Sequence, residues 1–536
     1  MKILNQFFAR YILLYIVLLF SPGVLSADPY WVFFQPKTGW KPGEPVPEKI
    51  VQSIVMSGAR IRTVSRYFHA VSVDFEGTSS FLEKIGGVVR VQPVARLAEI
   101  PDTGITKSVQ TEAPNHVQEE HVLNYGISYE PLEMLKIPEL HDLGLTGKGV
   151  VIGVLDAGFD TGNTGCLKNL KVSSTRNFIT GGKGVSGYFH GTAVLGCLGG
   201  QYDKIYYGAA FGATFLLALT ENQASETHAD EDRWVAGVEW CDSLGAKIIS
   251  SSLGYAFFDS PDVSYTPNDM DGKTTLCARA AEIACSHGII VVNSVGNSGL
   301  GPYKIIMSPA DAEHVVAVGA VQYISSGEPV LWPMSSRGPT ADGRIKPDVV
   351  ACGYIVACPK PGEDDIFARY SGTSFSAPFI SGLCALLLEA HPDWTPSNVI
   401  EAIKATAHDL GSPGPDIFYG WGLPDGVAAL NYKPVTGITA GPNPLQFSIL
   451  GNYPNPFNPS TTIEYSLPET GRASLVIYTV SGQKVRELAS GTLSAGTHSV
   501  VWDGRDRNGN QVSSGIYISR LTMRDRATAN RMLLVK

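Results

Sequence analysis

The sequence predicts a doubly wound α/β domain on a parallel sheet, with a small α+β unit of ferredoxin-like type before it and a β-sandwich after it. Three observations predict this arrangement. Between residues 120 and 432, continuous apolar runs alternate with helical patterns, as expected of strands buried on both faces. Residues 28–115 carry element signals in the order β-α-β-β-α-β, followed by a stretch without periodicity. Residues 446–536 carry short strand signals at regular spacing, with an Asn508-Gly509 turn between two of them. A length of 536 residues is too great for one ordinary core and agrees with about three domains. Charged residues make up 17% and the net charge is -9, with no basic stripe, so nucleic acid is excluded as a partner.

Residues 1–27 have the layout of a secretory signal. Lys2 and Arg10 precede the apolar run Tyr11 to Phe20, Ser21-Pro22-Gly23 breaks it, and Leu25-Ser26-Ala27 offers small residues for cleavage. The run is too short to span a bilayer comfortably. A secreted or cell-surface protein, exported through the periplasm, is therefore expected. The next unit reads as strand Tyr30 to Phe34, helix Glu48 to Met56, strands Arg60 to Phe68 and His69 to Phe75, helix Ser79 to Ile85 and strand Val88 to Val91. From Pro101 to Glu120 the pattern dissolves into polar and turn residues, as in an exposed, cleavable linker.

In the 120–432 domain the strand signals are Val150 to Leu155, Thr214 to Leu219, Lys247 to Ile249, Gly288 to Val292, His314 to Val318 and Pro347 to Ala351. Open sheets of this kind place ligand sites beyond the carboxyl ends of their strands. Asp156 closes the first strand, and His190 opens the helix-like run Val194 to Leu198. Ser374 lies in Ser371-Gly372-Thr373-Ser374-Phe375-Ser376-Ala377-Pro378, which runs into the apolar helical pattern from Phe379. A hydroxyl there meets unpaired N–H groups and the positive end of a helix dipole, and Pro378 suits a first turn. Each residue also has an ordinary structural role as a turn acid, a helix-start histidine or a helix cap. Brought to one rim, the three supply nucleophile, base and orienting carboxylate.

This order and these motifs resemble the subtilase (subtilisin-like) serine peptidases. Asp156 matches the family's Asp-x-Gly motif, His190 its His-Gly-Thr motif and Ser374 its Gly-Thr-Ser-x-x-Ala-Pro motif. Asn297, in Val295-Gly296-Asn297, matches the asparagine that shares the oxyanion hole with the backbone N–H of Ser374. Ser251-Ser252-Leu253-Gly254 resembles the substrate-binding edge, so Ser252, Leu253 and Gly254 are expected to pair with an extended peptide. Ser336-Arg337-Gly338-Pro339, Lys346-Pro347-Asp348 and Tyr419-Gly420-Trp421-Gly422-Leu423 are further landmarks. Phe375-Ser376 stands where Met-Ala is commoner, and Ala193 where a second His is commoner, so subsite preference is not carried over. The resemblance implies a serine-type endopeptidase acting on protein or peptide substrates through an acyl-enzyme. The 28–115 unit resembles the family's inhibitory propeptide, which implies a zymogen inhibited by its own propeptide and cut between Pro101 and Tyr125. The alternatives are a catalytically silent surface peptide-binding protein and the sedolisin branch. A lost site residue would mark the first, whereas the His-Gly-Thr and Ala-Pro motifs count against the second.

Residues 433–445 read as a linker. Asn452-Tyr453-Pro454-Asn455-Pro456-Phe457-Asn458-Pro459, with Gly515-Ile516-Tyr517, resembles the sorting domain of proteins exported by the type IX secretion machinery, although immunoglobulin-like spacer domains share the pattern. Of the eight cysteines, Cys197, Cys241, Cys277, Cys285 and Cys384 read as buried free thiols in helices, and Cys352 with Cys358 is the pair to test first, the disulfide pattern being left open. The cluster Glu226, His228, Asp230, Glu231, Asp232 offers carboxylates for calcium. A solvated loop capping a helix at Trp234 is the simpler reading, and no metal or cofactor is assigned.

Overall fold

The structure is a computed structural model that describes residues 28–34, 44–75, 79–93, 121–434 and 448–534, except 163, 261, 302–303, 325–327, 364–365, 454–456, 458, 495 and 525. The expected signal, the 101–120 linker, residues 435–445 of the second linker and half of the Asn452 to Pro459 motif lie outside the described residues. Two compact units result, Met1–Pro434 and Val435–Lys536.

The first unit begins with β1 (Asp28–Phe34), α1 (Glu48–Met56), β2 (Arg60–Ser65), β3 (Ala70–Phe75), α2 (Ser79–Leu82) and β4 (Val88–Pro93). They form a four-stranded antiparallel sheet in the order β2-β3-β1-β4. Tyr30, Val32, Phe34, Val71 and Val73 alternate along β1 and β3 onto a core closed by Ile54 and Leu82.

The larger part continues with α3 (Tyr129–Glu133), α4 (Ile137–Asp142), β5 (Val151–Asp156), β6 (Lys171–Asn177), α5 (Phe189–Gly199), β7 (Gln201–Tyr202), β8 (Tyr206–Tyr207), β9 (Thr214–Leu219) and α6 (His228–Ser243). Then come β10 (Ile248–Ser251), α7 (Leu276–Ser286), β11 (Ile290–Ser294), β12 (Val316–Gln322), β13 (Val330–Leu331), β14 (Val349–Cys352), β15 (Val356–Pro359), β16 (Phe367–Tyr370), α8 (Thr373–Ala390), α9 (Pro396–Ala405) and α10 (Gly426–Leu430). The sheet runs β13-β12-β11-β10-β5-β9-β6, with β14 beside β12, and every pairing except β12 with β13 is parallel. Both faces are covered. Ile152, Val154, Ile248 and Val292 pack with α5 and α8 on one side, while Leu155, Ile249 and Val291 pack with α6 and α7 on the other. Fully burying such side chains contributes roughly 1.5–3 kcal/mol each. Gly153 allows α6 to approach closely, because a Cβ there would lie 2.5 Å from Cys241 Sγ.

Several strands end later than the apolar runs suggest. β10 continues through Ser250 and Ser251, and β11 through Asn293 and Ser294, because their carboxyl ends are polar where they reach the rim. β6 carries no continuous apolar run, since it is an edge strand with one polar face. Cys352 and Cys358, the pair to test first, are not bridged: Cys352 ends β14 in the sheet, whereas Cys358 lies on β15 with its Sγ 3.6 Å from that of Cys197 on α5. All eight cysteines are free thiols.

The second unit contains β17 (Ser448–Tyr453), β18 (Thr461–Leu467), β19 (Gly471–Thr479), β20 (Lys484–Leu493), β21 (Gly496–Trp502), β22 (Gly515–Met523) and β23 (Arg526–Leu534). These form two antiparallel sheets, β17-β18-β21 and β20-β19-β22-β23. Ile463, Leu467 and Trp502 of the first face Leu475, Ile477, Leu521 and Met532 of the second across one core.

Candidate active site

Parallel register brings the carboxyl ends of three strands together, with Asp156 beside Leu219 of β9 and Leu155 beside Ser251 of β10. Asp156 is fully buried; its Oδ1 accepts from the Ala157 N–H at 2.7 Å and lies 2.8 Å from His190 Nδ1. His190 is the second residue of α5, and its helix start is pressed onto the Asp156 loop. A Cβ at Gly191 would lie 2.3 Å from the Gly158 carbonyl oxygen, and the Asp160 N–H donates to Thr192 Oγ1 at 2.9 Å. Phe189 stacks on Tyr370, Tyr370 stacks on Phe375, and the Phe375 ring is 5.7 Å from that of His190. These aromatic contacts bring the histidine helix and the serine helix side by side. Burial pulls the imidazole pKa down, but the charge of Asp156 and its hydrogen bond outweigh this and leave it above the ordinary histidine value.

Ser374 is the second residue of α8 and is buried. Its Oγ donates to the Ser252 carbonyl at 3.3 Å and not to His190, while Ser252 Oγ donates to the Ser374 carbonyl at 2.7 Å. The expected first-turn place for Pro378 is corrected: the helix begins at Thr373, so Pro378 is its sixth residue. With no N–H, Pro378 cannot serve the Ser374 carbonyl four residues back, and the Ser252 hydroxyl takes that place. Asn297 Oδ1 accepts from the Thr373 N–H at 3.0 Å and from Thr373 Oγ1 at 3.1 Å, which fixes the amide and leaves Nδ2 without an acceptor among the described residues. Ser252, Leu253 and Gly254 continue from the end of β10. Asn293 Nδ2 donates to the Leu253 carbonyl at 2.8 Å, and the N–H groups of Leu253 and Gly254 have no main-chain partner among the described residues.

The acidic cluster is not a solvated loop. α6 starts at His228, and Asp230, Glu231 and Asp232 are buried in its first turns. Asp230 accepts from the N–H groups of Thr227 and Asn222 and pairs with Arg233. Glu231 lies 2.5 Å from His228 Nδ1 and accepts from the Tyr265 hydroxyl. Asp232 accepts from Trp31 Nε1 at 2.9 Å and Ser72 Oγ at 2.7 Å, and Arg62 lies 2.9 Å away. Two turns along the same face, Glu239 accepts from Ser65 Oγ at 2.6 Å and from the N–H groups of Arg66 and Tyr67. Glu239 was not foreseen, although acids seven residues apart on an otherwise apolar helix face are a readable signal. Glu221, also unforeseen, accepts from the Tyr255 hydroxyl at 2.5 Å, and burial pushes its pKa up to about 8.

Comparison with known proteins agrees with this geometry. Subtilisin amylosacchariticus of Bacillus subtilis subsp. amylosacchariticus is 28% identical over 340 residues, which is 61% of this chain and 78% of that protein. Serine protease AprX of Bacillus subtilis is 31% identical over 302 residues, 51% of this chain and 64% of that one. The crystal structure of fervidolysin from Fervidobacterium pennivorans, described as a keratinolytic enzyme related to subtilisin, shares the fold with a TM-score of 0.58 at 18% identity, covering 92% of this chain and 71% of that chain. Residues 458–525 match the FlgD Ig-like domain. Residues 147–422, just over half the chain, match the subtilase family, and the chain belongs to that family as a serine endopeptidase.

Proposed function

We propose that Ser374 is the nucleophile, His190 its general base and Asp156 the carboxylate that orients and stabilises the imidazolium. The observation that carries this reading is the 2.8 Å contact between Asp156 Oδ1 and His190 Nδ1, on a helix packed against the one whose second residue is Ser374. A rotation about the Ser374 Cα–Cβ bond turns its hydroxyl from the Ser252 carbonyl toward the imidazole. His190 then takes the proton as the oxygen attacks a peptide carbonyl, and returns it to the leaving amine. Asn297 Nδ2 and the Ser374 N–H stabilise the oxyanion, and a peptide lies along Ser252, Leu253 and Gly254. Water then resolves the acyl-enzyme. Fluorophosphonate labelling of the matured enzyme tests the assignment: labelling at Ser374, lost with hydrolysis in Ser374→Ala, is expected. Hydrolysis that survives Ser374→Ala overturns it and assigns the nucleophile to another residue, whereas a wild type that neither labels nor hydrolyses would leave the peptide-binding reading in its place.

The 28–93 unit acts as an inhibitory propeptide of a zymogen. Supporting this is its contact with α6, where buried Asp232 and Glu239 accept hydrogen bonds from Trp31, Ser65, Arg66, Tyr67 and Ser72. Sequencing the N-terminus of active enzyme tests it, and a start near Asp28 overturns it. The 446–536 unit addresses the exported protein to the type IX machinery. The residue pattern from Asn452 supports this, and the FlgD Ig-like match supports a spacer instead. Deleting residues 446–536 separates the two, because only a sorting domain strands the enzyme in the periplasm.

A further inference from the structure

Cys197 and Cys358 are 161 residues apart in sequence and 3.6 Å apart at sulfur. Both are buried, and their surroundings leave little room for them to separate. The next-door pair, Gly196 on α5 and Pro359 on β15, is in direct contact, since a Cβ on Gly196 would lie 2.3 Å from Pro359 Cδ. A disulfide requires about 2.05 Å between sulfurs, a closure that side-chain rotation can supply between elements already touching. Cys352, the partner to test first on sequence grounds, is directed instead at the Tyr354 carbonyl.

One of the two elements carries the base, and the other belongs to the hairpin that leads to the nucleophile. α5 begins at Phe189-His190, and Cys197 lies two turns further along it. β15 pairs antiparallel with β16, and β16 leads through Ser371 and Gly372 into Ser374. We infer that Cys197 and Cys358 form a disulfide in the mature enzyme, and that this bond ties the helix of the base to the hairpin that feeds the nucleophile. The export reading under Proposed function enters only in supplying an oxidising compartment.

The bond forms by exchange with an oxidised protein dithiol of the thiol–disulfide oxidant class. One cysteine thiolate attacks that disulfide, forming a mixed disulfide and releasing one oxidant sulfur. The other cysteine then attacks the mixed disulfide, closing the Cys197–Cys358 bond and releasing the second. The oxidant leaves as a dithiol, carrying the two protons and two electrons that the cysteines give up. The step belongs to folding, because burial in the finished structure pushes the Cys358 thiol well above its ordinary pKa. Cys166 is buried in the same core as Cys197 and Cys358 and is the competing partner to exclude.

Thiol mapping tests this directly. The enzyme is collected from culture medium, unfolded without reductant in the presence of N-ethylmaleimide, digested and analysed by mass spectrometry. A Cys197–Cys358 linked peptide, with the other six cysteines alkylated, is the expected result. Alkylation of all eight, or a link through Cys166, overturns the inference. Refolding the full chain in a glutathione redox buffer separates this from the export reading. A link formed there by a chain that is not exported keeps the bond and removes export, while free thiols in both the exported and the refolded chain remove the bond and leave export standing. Dithiothreitol is expected to lower the half-inactivation temperature of the wild type by roughly 5 °C. Cys197→Ala/Cys358→Ala should start at that lower value and not respond, and a wild type equally indifferent to reductant overturns the inference.

Discussion

Ser252 and Ser374 are joined twice: each hydroxyl donates to the other residue's carbonyl, at 2.7 Å from Ser252 and 3.3 Å from Ser374. The shorter bond fills the place that Pro378 leaves open in α8. The same residue that begins the proposed peptide-binding edge therefore also holds the first turn of the serine helix. Ser252→Ala leaves a buried carbonyl without a donor, at a cost of about 1–3 kcal/mol. Guanidinium unfolding should show a lower midpoint for Ser252→Ala and partial recovery for Ser252→Ala/Pro378→Ala, because the second change returns an N–H to the helix. No recovery in the double variant removes the explanation.

The base and its carboxylate predict a pH profile. As the proposed general base His190 works only when neutral, and Asp156 raises its pKa above the ordinary histidine value, so kcat/KM should fall as pH drops through a midpoint above about 6.5. In Asp156→Asn the charge is lost and only a neutral, weaker amide acceptor can face the imidazole Nδ1. The acid limb should then move to lower pH, and kcat should drop by about four powers of ten. An unmoved acid limb would assign the titration to another group.

Asn297 is held by Thr373 through its carbonyl oxygen, so its amide nitrogen is oriented before substrate arrives. Asn297→Ala should lower kcat by about a hundredfold to a thousandfold with little change in KM, since the bond is made to the oxyanion and not to the ground-state peptide. Thr373→Val removes one anchor without removing the donor and should cost less. A larger loss in Thr373→Val than in Asn297→Ala would shift the oxyanion role elsewhere.

The order of elements and the place of Asp156, His190, Ser374 and Asn297 were legible because strand runs such as Thr214–Leu219 are apolar on both faces and each motif sits at an element's end. β6 was not legible, since Lys171–Asn177 needs only one apolar face at the sheet edge. Strand ends were read short at Ser250, Ser251, Asn293 and Ser294 because these are polar residues buried through hydrogen bonds, Ser250 with Ser381 and Ser251 with Trp234 among them. Asp232 and Glu239 were misread or missed because a buried carboxylate is recognised by its donors, and theirs come from residues more than 150 positions earlier. The neighbour of Cys358 was not legible for the same reason, since the fold brings Cys197 to it from 161 residues away.

Glu239 gives the last prediction, which concerns how firmly the 28–93 unit is held. Its two carboxylate oxygens accept from Ser65 Oγ and from the N–H groups of Arg66 and Tyr67, three donors that have no alternative once docked. Glu239→Ala should weaken the hold by about 2–4 kcal/mol, or roughly thirtyfold to a thousandfold. In the full chain this appears as earlier release of the unit and earlier onset of peptidase activity, with kcat/KM of the matured enzyme unchanged. Burial raises the carboxyl pKa of both Asp232 and Glu239 in the docked state above the ordinary value. Docking therefore takes up protons, and its stability from these groups is present at low pH and lost as pH rises through the raised values. Activity onset in the wild type should accordingly quicken from acid toward neutral pH, and Glu239→Gln, which cannot titrate, should flatten that dependence. A Glu239→Gln chain that keeps the full pH dependence would place the control of release in other groups.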